Sequence, residues 1–120
     1  MKKIVLMIFI ICSSLFSFEH LTKDNFDEKL KDKNVIVDFY ATWCPPCKVL
    51  AERLEIFDKV KPTNVTIYKV DVEKSVELAK KYNVSVLPTV VYFKNGKMLQ
   101  KDPGMKYVEE LIENSKKYFE

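Results

Sequence analysis

The sequence predicts an α/β domain: a central mixed sheet with helices packed on its faces. Three observations predict it. Apolar, β-branched runs at residues 35–40 and 65–72 alternate with helical patterns at 44–59 and 76–82. An Asn95-Gly96 pair between two further strand-like runs marks a hairpin, which adds an antiparallel ribbon to a parallel sheet. The 120 residues, 48% hydrophobic and 31% charged, supply one core and are too few for two domains.

Composition excludes several function classes. A net charge of +3 is too mild for a nucleic-acid-binding surface. Three cysteines are too few for a disulfide-stapled miniprotein, and with one histidine they do not make a four-ligand zinc site. Two glycines exclude collagen-like or Gly-rich character.

The first segment reads as an address. Lys2 and Lys3 precede an unbroken apolar run at residues 4–11, and Cys12, Ser13 and Ser14 begin a small-residue exit. That order is a secretory signal peptide over residues 1–17, with cleavage after Ser17 and Ser14 as the alternative site. An uncleaved anchor is the competing reading, but residues 4–18 fall short of the ~18–20 that a spanning helix needs. A lipoprotein cysteine at Cys12 is the weaker case, because bulky Ile11 precedes it. Residues 18–120 then form the domain, and two cysteines remain in it, Cys44 and Cys47.

Within the domain, Thr22 is placed to cap a first helix, with Leu21 stapling onto Phe26 and Leu30 continuing that face. Residues 35–40 (VIVDFY) are apolar except for Asp38 and read as a strand buried on both faces. The helix at 44–59 confines its prolines to the first turn, where a missing N–H costs little. Residues 65–72 (VTIYKVDV) form another strand, and Val76, Ala79 and Tyr82 mark a short helix. Residues 89–93 and 97–100 flank the type I′ turn signal. Val108, Leu111, Ile112, Ser115 and Phe119 recur at helical spacing and close the chain with an amphipathic helix.

The chemistry lies in Trp43-Cys44-Pro45-Pro46-Cys47, at a strand-to-helix junction. A spacing of three puts both sulfurs on one helix face within disulfide reach. Cys44 stands at the helix N-terminus, where free N–H groups and the macrodipole favour a thiolate. Cys47 lies one turn in and is expected to be less accessible. Cys44 is therefore the candidate nucleophile and Cys47 the resolving thiol. A purely structural disulfide would close too short a loop to gain much chain entropy. Zinc would need two more ligands, and His20 is the only histidine.

Asp38 is a carboxylate inside an apolar strand, six residues before Cys44. It turns outward at a sheet edge, or pairs structurally, or is a buried proton acceptor for Cys47 with its pKa raised by desolvation. Lys69 interrupts the next strand and is either its partner or a solvated lysine. Pro88 opens a strand, which is an edge device or the site of a cis bond.

At these residues the chain resembles the thioredoxin family over residues 18–119. The matching pieces occur in order: His20-Leu21-Thr22 with Phe26, Val37-Asp38-Phe39-Tyr40-Ala41, Trp43-Cys44-x-Pro46-Cys47-Lys48, Lys69-Val70-Asp71-Val72, Tyr82-Asn83-Val84, Leu87-Pro88-Thr89, Phe93-Lys94-Asn95-Gly96-Lys97 and Gly104. The resemblance implies a thioredoxin fold, with a four- or five-stranded mixed sheet flanked by four helices. It implies a redox-active Cys44–Cys47 disulfide with no cofactor or metal, and Asp38 with Lys69 as the proton-handling pair. It implies a cis Pro88 against the disulfide, a Leu87 backbone that bonds an extended substrate, and Trp43 and Gly104 bordering the groove. The chain departs from the family at Pro45, where Gly is common, and at Glu52, where a kinking proline is common. The loop after Gly104 is short.

The address and the motif together point to an exported, periplasmic thioredoxin-like oxidoreductase, a monomer acting on protein disulfides. No histidine lies between the cysteines, and Pro45 and Pro46 remove two N–H donors near Cys44. A thiolate so modestly stabilised makes a reductant rather than an oxidant. A reductant outside the cytosol needs electrons, which the resemblance assigns to a membrane thiol transporter. The competing functions are an oxidase or isomerase, and a peptide-binding module without turnover.

Overall fold

The computed structural model describes residues 18–120. The expected signal peptide, its uncleaved-anchor alternative and Cys12 lie outside the described residues. The elements run β1 (Glu19–His20), α1 (Phe26–Leu30), β2 (Asn34–Tyr40), α2 (Pro45–Val60), β3 (Val65–Asp71), α3 (Val76–Lys81), β4 (Thr89–Lys94), β5 (Lys97–Pro103) and α4 (Val108–Phe119). They build one five-stranded sheet in the order β1-β3-β2-β4-β5. β1 and β2 pair parallel to β3, while β4 pairs antiparallel to both β2 and β5. The sheet is mixed and four helices flank it, as expected.

β2 is the central strand, and residues Val35 to Phe39 are all buried. Its alternation splits the core in two. Val35, Val37 and Phe39 pack with Phe26, Leu30 and Leu78 on the α1/α3 side. Ile36 packs with Leu50, Leu54, Phe57 and Leu111 on the α2/α4 side. Asp38 and Tyr40 share the face of Ile36, beneath the helix that carries the cysteines.

α2 runs without a break from Pro45 to Val60, and Glu52 sits in its middle without interrupting it. The hairpin turn has positive φ at both central residues, +49° at Asn95 and +77° at Gly96, which defines the type I′ geometry. The Asn95 side chain and amide also tie this tip to Asp32 and Lys33. β5 extends three residues past the expected end and pairs with β4 as far as Pro103, with one register shift between Tyr92 and Phe93.

Two local expectations are corrected. Thr22 does not cap α1 with its side chain: α1 begins at Phe26. Thr22 instead receives bonds at its carbonyl from Asn25 and Phe26, and its own amide donates to Asn25 Oδ1. Leu21 and Phe26 nonetheless share one core cluster. β1 was not expected at all, since two residues carry no periodicity to read.

Candidate active site

Cys44 and Cys47 form a disulfide at the head of α2, with Cα atoms 5.3 Å apart. Cys44 is the N-cap of α2, and the Cys47 amide donates to Cys44 Sγ at 3.3 Å. Pro45 and Pro46 occupy the first two helical positions, so no amide hydrogen from either can reach that sulfur. The cysteines do not differ in access as expected: Cys44 is 3% exposed and Cys47 2%. In the disulfide each sulfur covers the other, and Ala41, Tyr40, Val72 and Leu87 pack around both. What separates the two thiols is position on the helix, not burial.

Trp43, immediately before Cys44, is 67% exposed. Leu87 packs against the disulfide cluster, and the Leu87–Pro88 peptide bond is cis. Gly104 has φ +91°, and its amide donates to the Pro88 carbonyl at 2.8 Å. The β4–β5 end and the α2 N-terminus therefore meet at one edge of the sheet, where Val86 is also exposed. Sequence reading did not single out Val86; an apolar residue beside the Leu87-Pro88 pair was its only signal.

Asp38 lies in the row beneath. It is buried, at 4% exposure, and among the described residues its Oδ1 has no hydrogen-bond partner. Burial pushes its carboxyl pKa up from 3.8 to about 7, against a smaller downward pull from Lys69. The β2–β3 register puts Asp38 directly opposite Lys69. The outward-facing alternative for Asp38 is excluded, because β2 has a neighbour on each side. Asp71 is different: its carboxylate accepts from the amides of Glu73 and Lys74 and shapes the turn after β3.

A crevice of about 230 Å³ reaches Cys47, lined by Tyr40, Ala41, Thr42, Lys48 and Ala51. A larger hollow of about 530 Å³ lies at the opposite end of β2, around Asn34 and Lys94, away from the disulfide. No group of three or more His, Cys, Asp or Glu gathers among the described residues to hold a metal. None of the described helices is long and apolar enough to cross a membrane.

These elements have counterparts in known proteins. The thioredoxin family model matches residues 17–117. A thioredoxin from Chlamydia trachomatis is 39% identical over 92 residues, covering 77% of this chain and 89% of the relative. Thioredoxin-1 from Saccharomyces cerevisiae is 45% identical over 84 residues, covering 69% and 81%. The solved structure of a point-mutant thioredoxin from Halobacterium salinarum superposes with a TM-score of 0.78 at 28% identity, covering 87% of this chain and 92% of that one. Sequence and fold agree over nearly the same residues, and those residues carry the helix-capping disulfide. The chain therefore belongs to the thioredoxin family and is a thiol–disulfide oxidoreductase.

Proposed function

We propose that the protein is an exported thioredoxin that reduces protein disulfides in the periplasm, as a monomer supplied with electrons by a membrane thiol transporter. The observation that carries the reductive direction is the N-cap position of Cys44 beside two prolines. The sulfur of Cys44 receives one amide hydrogen, from Cys47. A thiolate with so few donors is a poorer leaving group, so the reduced form is less favoured and the protein gives electrons away. Export rests on the N-terminal pattern of Lys2, Lys3 and the apolar run at 4–11.

In the proposed cycle, the Cys44 thiolate attacks one sulfur of a substrate disulfide. A mixed disulfide forms, and the other substrate sulfur leaves as a thiolate that takes a proton from water. Cys47 then loses its proton to the Asp38 carboxylate and attacks Cys44 Sγ. The second substrate sulfur leaves as a thiolate that also takes a proton from water, and Cys44–Cys47 is oxidised. The substrate gains two electrons and two protons. Lys69 favours the charged form of Asp38, while Trp43, Leu87, Pro88 and Gly104 line the edge where an extended segment is received.

Equilibration with glutathione tests the direction. A potential well below that of the strong oxidants is expected; a value around −120 mV would overturn the reductant reading. Cys47→Ser expressed in whole cells should accumulate mixed disulfides with envelope proteins. Adducts confined to cytosolic proteins would refute export.

A further inference from the structure

We infer that the His20–Tyr40 hydrogen bond is a latch that positions Lys69 beside Asp38. The inference rests on the proposed role of Asp38 as the proton acceptor for Cys47.

The sheet register supplies the geometry. His20 on β1 is opposite Lys69 on β3, and Lys69 is opposite Asp38 on β2. Paired residues share a face, so His20, Lys69 and Asp38 form one transverse row on the α2/α4 side. Tyr40 follows Asp38 by two residues and lies on the same face. His20 Nε2 and Tyr40 Oη are 2.5 Å apart. Lys69 Nζ sits 5.7 Å from the centre of the Tyr40 ring, within cation–π range. Tyr40 also packs on the disulfide cluster and forms one wall of the crevice that reaches Cys47. One ring thus touches the redox centre, the ammonium and the histidine.

Lys69 stands on a flexible four-carbon stem and needs a partner to fix its head. The Tyr40 face is one such partner, and the orientation of the ring bears on where the ammonium sits. His20 holds that orientation from outside, through the hydroxyl. The charged groups that act on His20 are Lys69 and Asp71 on β3 and Lys74 after it. Desolvation and Lys69 lower the His20 pKa, which favours the neutral ring. On Asp38 itself the acting charge is Lys69. Facing Asp38 from β4 is the uncharged Val90. Tyr40 and His20 are therefore positioning residues that act through Lys69.

The test follows the pH profile of the resolving step, release of the substrate thiol from a mixed disulfide preformed on Cys44, for the full domain. Asp38 must be a carboxylate to accept a proton, so the rate rises with pH along a limb that reports its titration. His20→Ala and Tyr40→Phe should each move that limb to higher pH by about one unit, the low end of what a cation within 4–6 Å exerts on a carboxylate. The plateau rate of His20→Ala should stay unchanged. The double variant should move it no further, and neither change should move it in a Lys69→Met background. A limb unmoved in both single variants overturns the latch, as does a shift that persists without Lys69. If His20→Ala fails to fold, Tyr40→Phe reports the same bond with the ring retained. Asp38→Asn separates the two readings. A limb that survives unshifted in it refutes the role of Asp38 and the latch together; a limb displaced or lost there but unmoved in His20→Ala refutes the latch alone.

Discussion

Asp38 faces Lys69 across the β2–β3 ladder, yet its Oδ1 makes no hydrogen bond among the described residues. That oxygen of the buried carboxyl is left unsatisfied. Desolvation outweighs the cation, and the carboxyl pKa sits near 7 instead of 3.8. The native state then binds this proton more tightly than the unfolded chain does. Its stabilising contribution is complete below about pH 4 and is lost as pH rises through about 7. Stability of the oxidised protein should fall over that window and level off above it.

Asp38→Asn should remove the slope and leave a protein more stable at pH 8, by at most about 4 kcal/mol at 1.36 kcal/mol per pKa unit. Urea titrations at pH 5 and pH 8 measure it. An equal urea midpoint for the natural protein at both pH values would contradict the buried-acid reading.

Pro45 and Pro46 leave Cys44 Sγ with the Cys47 amide as its donor at 3.3 Å. A cation at position 46 would add the stabilisation that the prolines withhold. Pro46→His should lower the Cys44 thiol pKa and make the disulfide more oxidising. A gain of about 1.4 kcal/mol in thiolate stability corresponds to roughly 30 mV for this two-electron couple. Glutathione equilibration of both forms reads the difference. A potential unchanged or more reducing would show that first-turn donors do not set the direction of exchange.

Trp43 projects from the same edge with 67% of its surface exposed. It contributes little to the core, so Trp43→Ala should change stability by no more than about 0.5 kcal/mol. Its proposed place is against substrate, so the same variant should raise KM for a protein disulfide several-fold. A small disulfide without a peptide chain should be reduced as before. Loss of both activities together would place Trp43 in the folding of the site instead.

The parts legible in the sequence are those whose signal is local. Residues 35–40 are apolar on both faces because β2 is covered on both faces, and the helix of Cys44 begins at its prolines. The Asn95-Gly96 turn follows from two residues that accept positive φ. Thr22 is not the cap because α1 starts later, at Phe26, with Asn25 in the N-cap position; the Thr22 amide donates to Asn25 Oδ1. Cys44 and Cys47 were expected to differ in burial, but a disulfide buries both partners. The His20–Tyr40 contact joins residues twenty apart through a strand of two residues. No period or spacing reports such a register, which only the assembled sheet fixes.

Gly104 has φ +91°, and its amide holds the Pro88 carbonyl at 2.8 Å. A Cβ built there meets nothing within 4 Å, so a side chain would not clash. The cost of substitution is backbone strain alone, about 1–2 kcal/mol for a non-glycine residue at positive φ. Gly104→Ala should lower stability by that amount. Gly104→Asn should cost less, because Asn tolerates positive φ. If the chain escapes the strain by turning the peptide, the Gly104 amide leaves the Pro88 carbonyl and the loop carrying Leu87 loosens. KM for protein substrates should then rise in the order Asn, Ala, Val, while glutathione equilibration, which reads the disulfide, stays constant. Equal stability for Asn and Ala would show that conformation at this position is not what the glycine supplies.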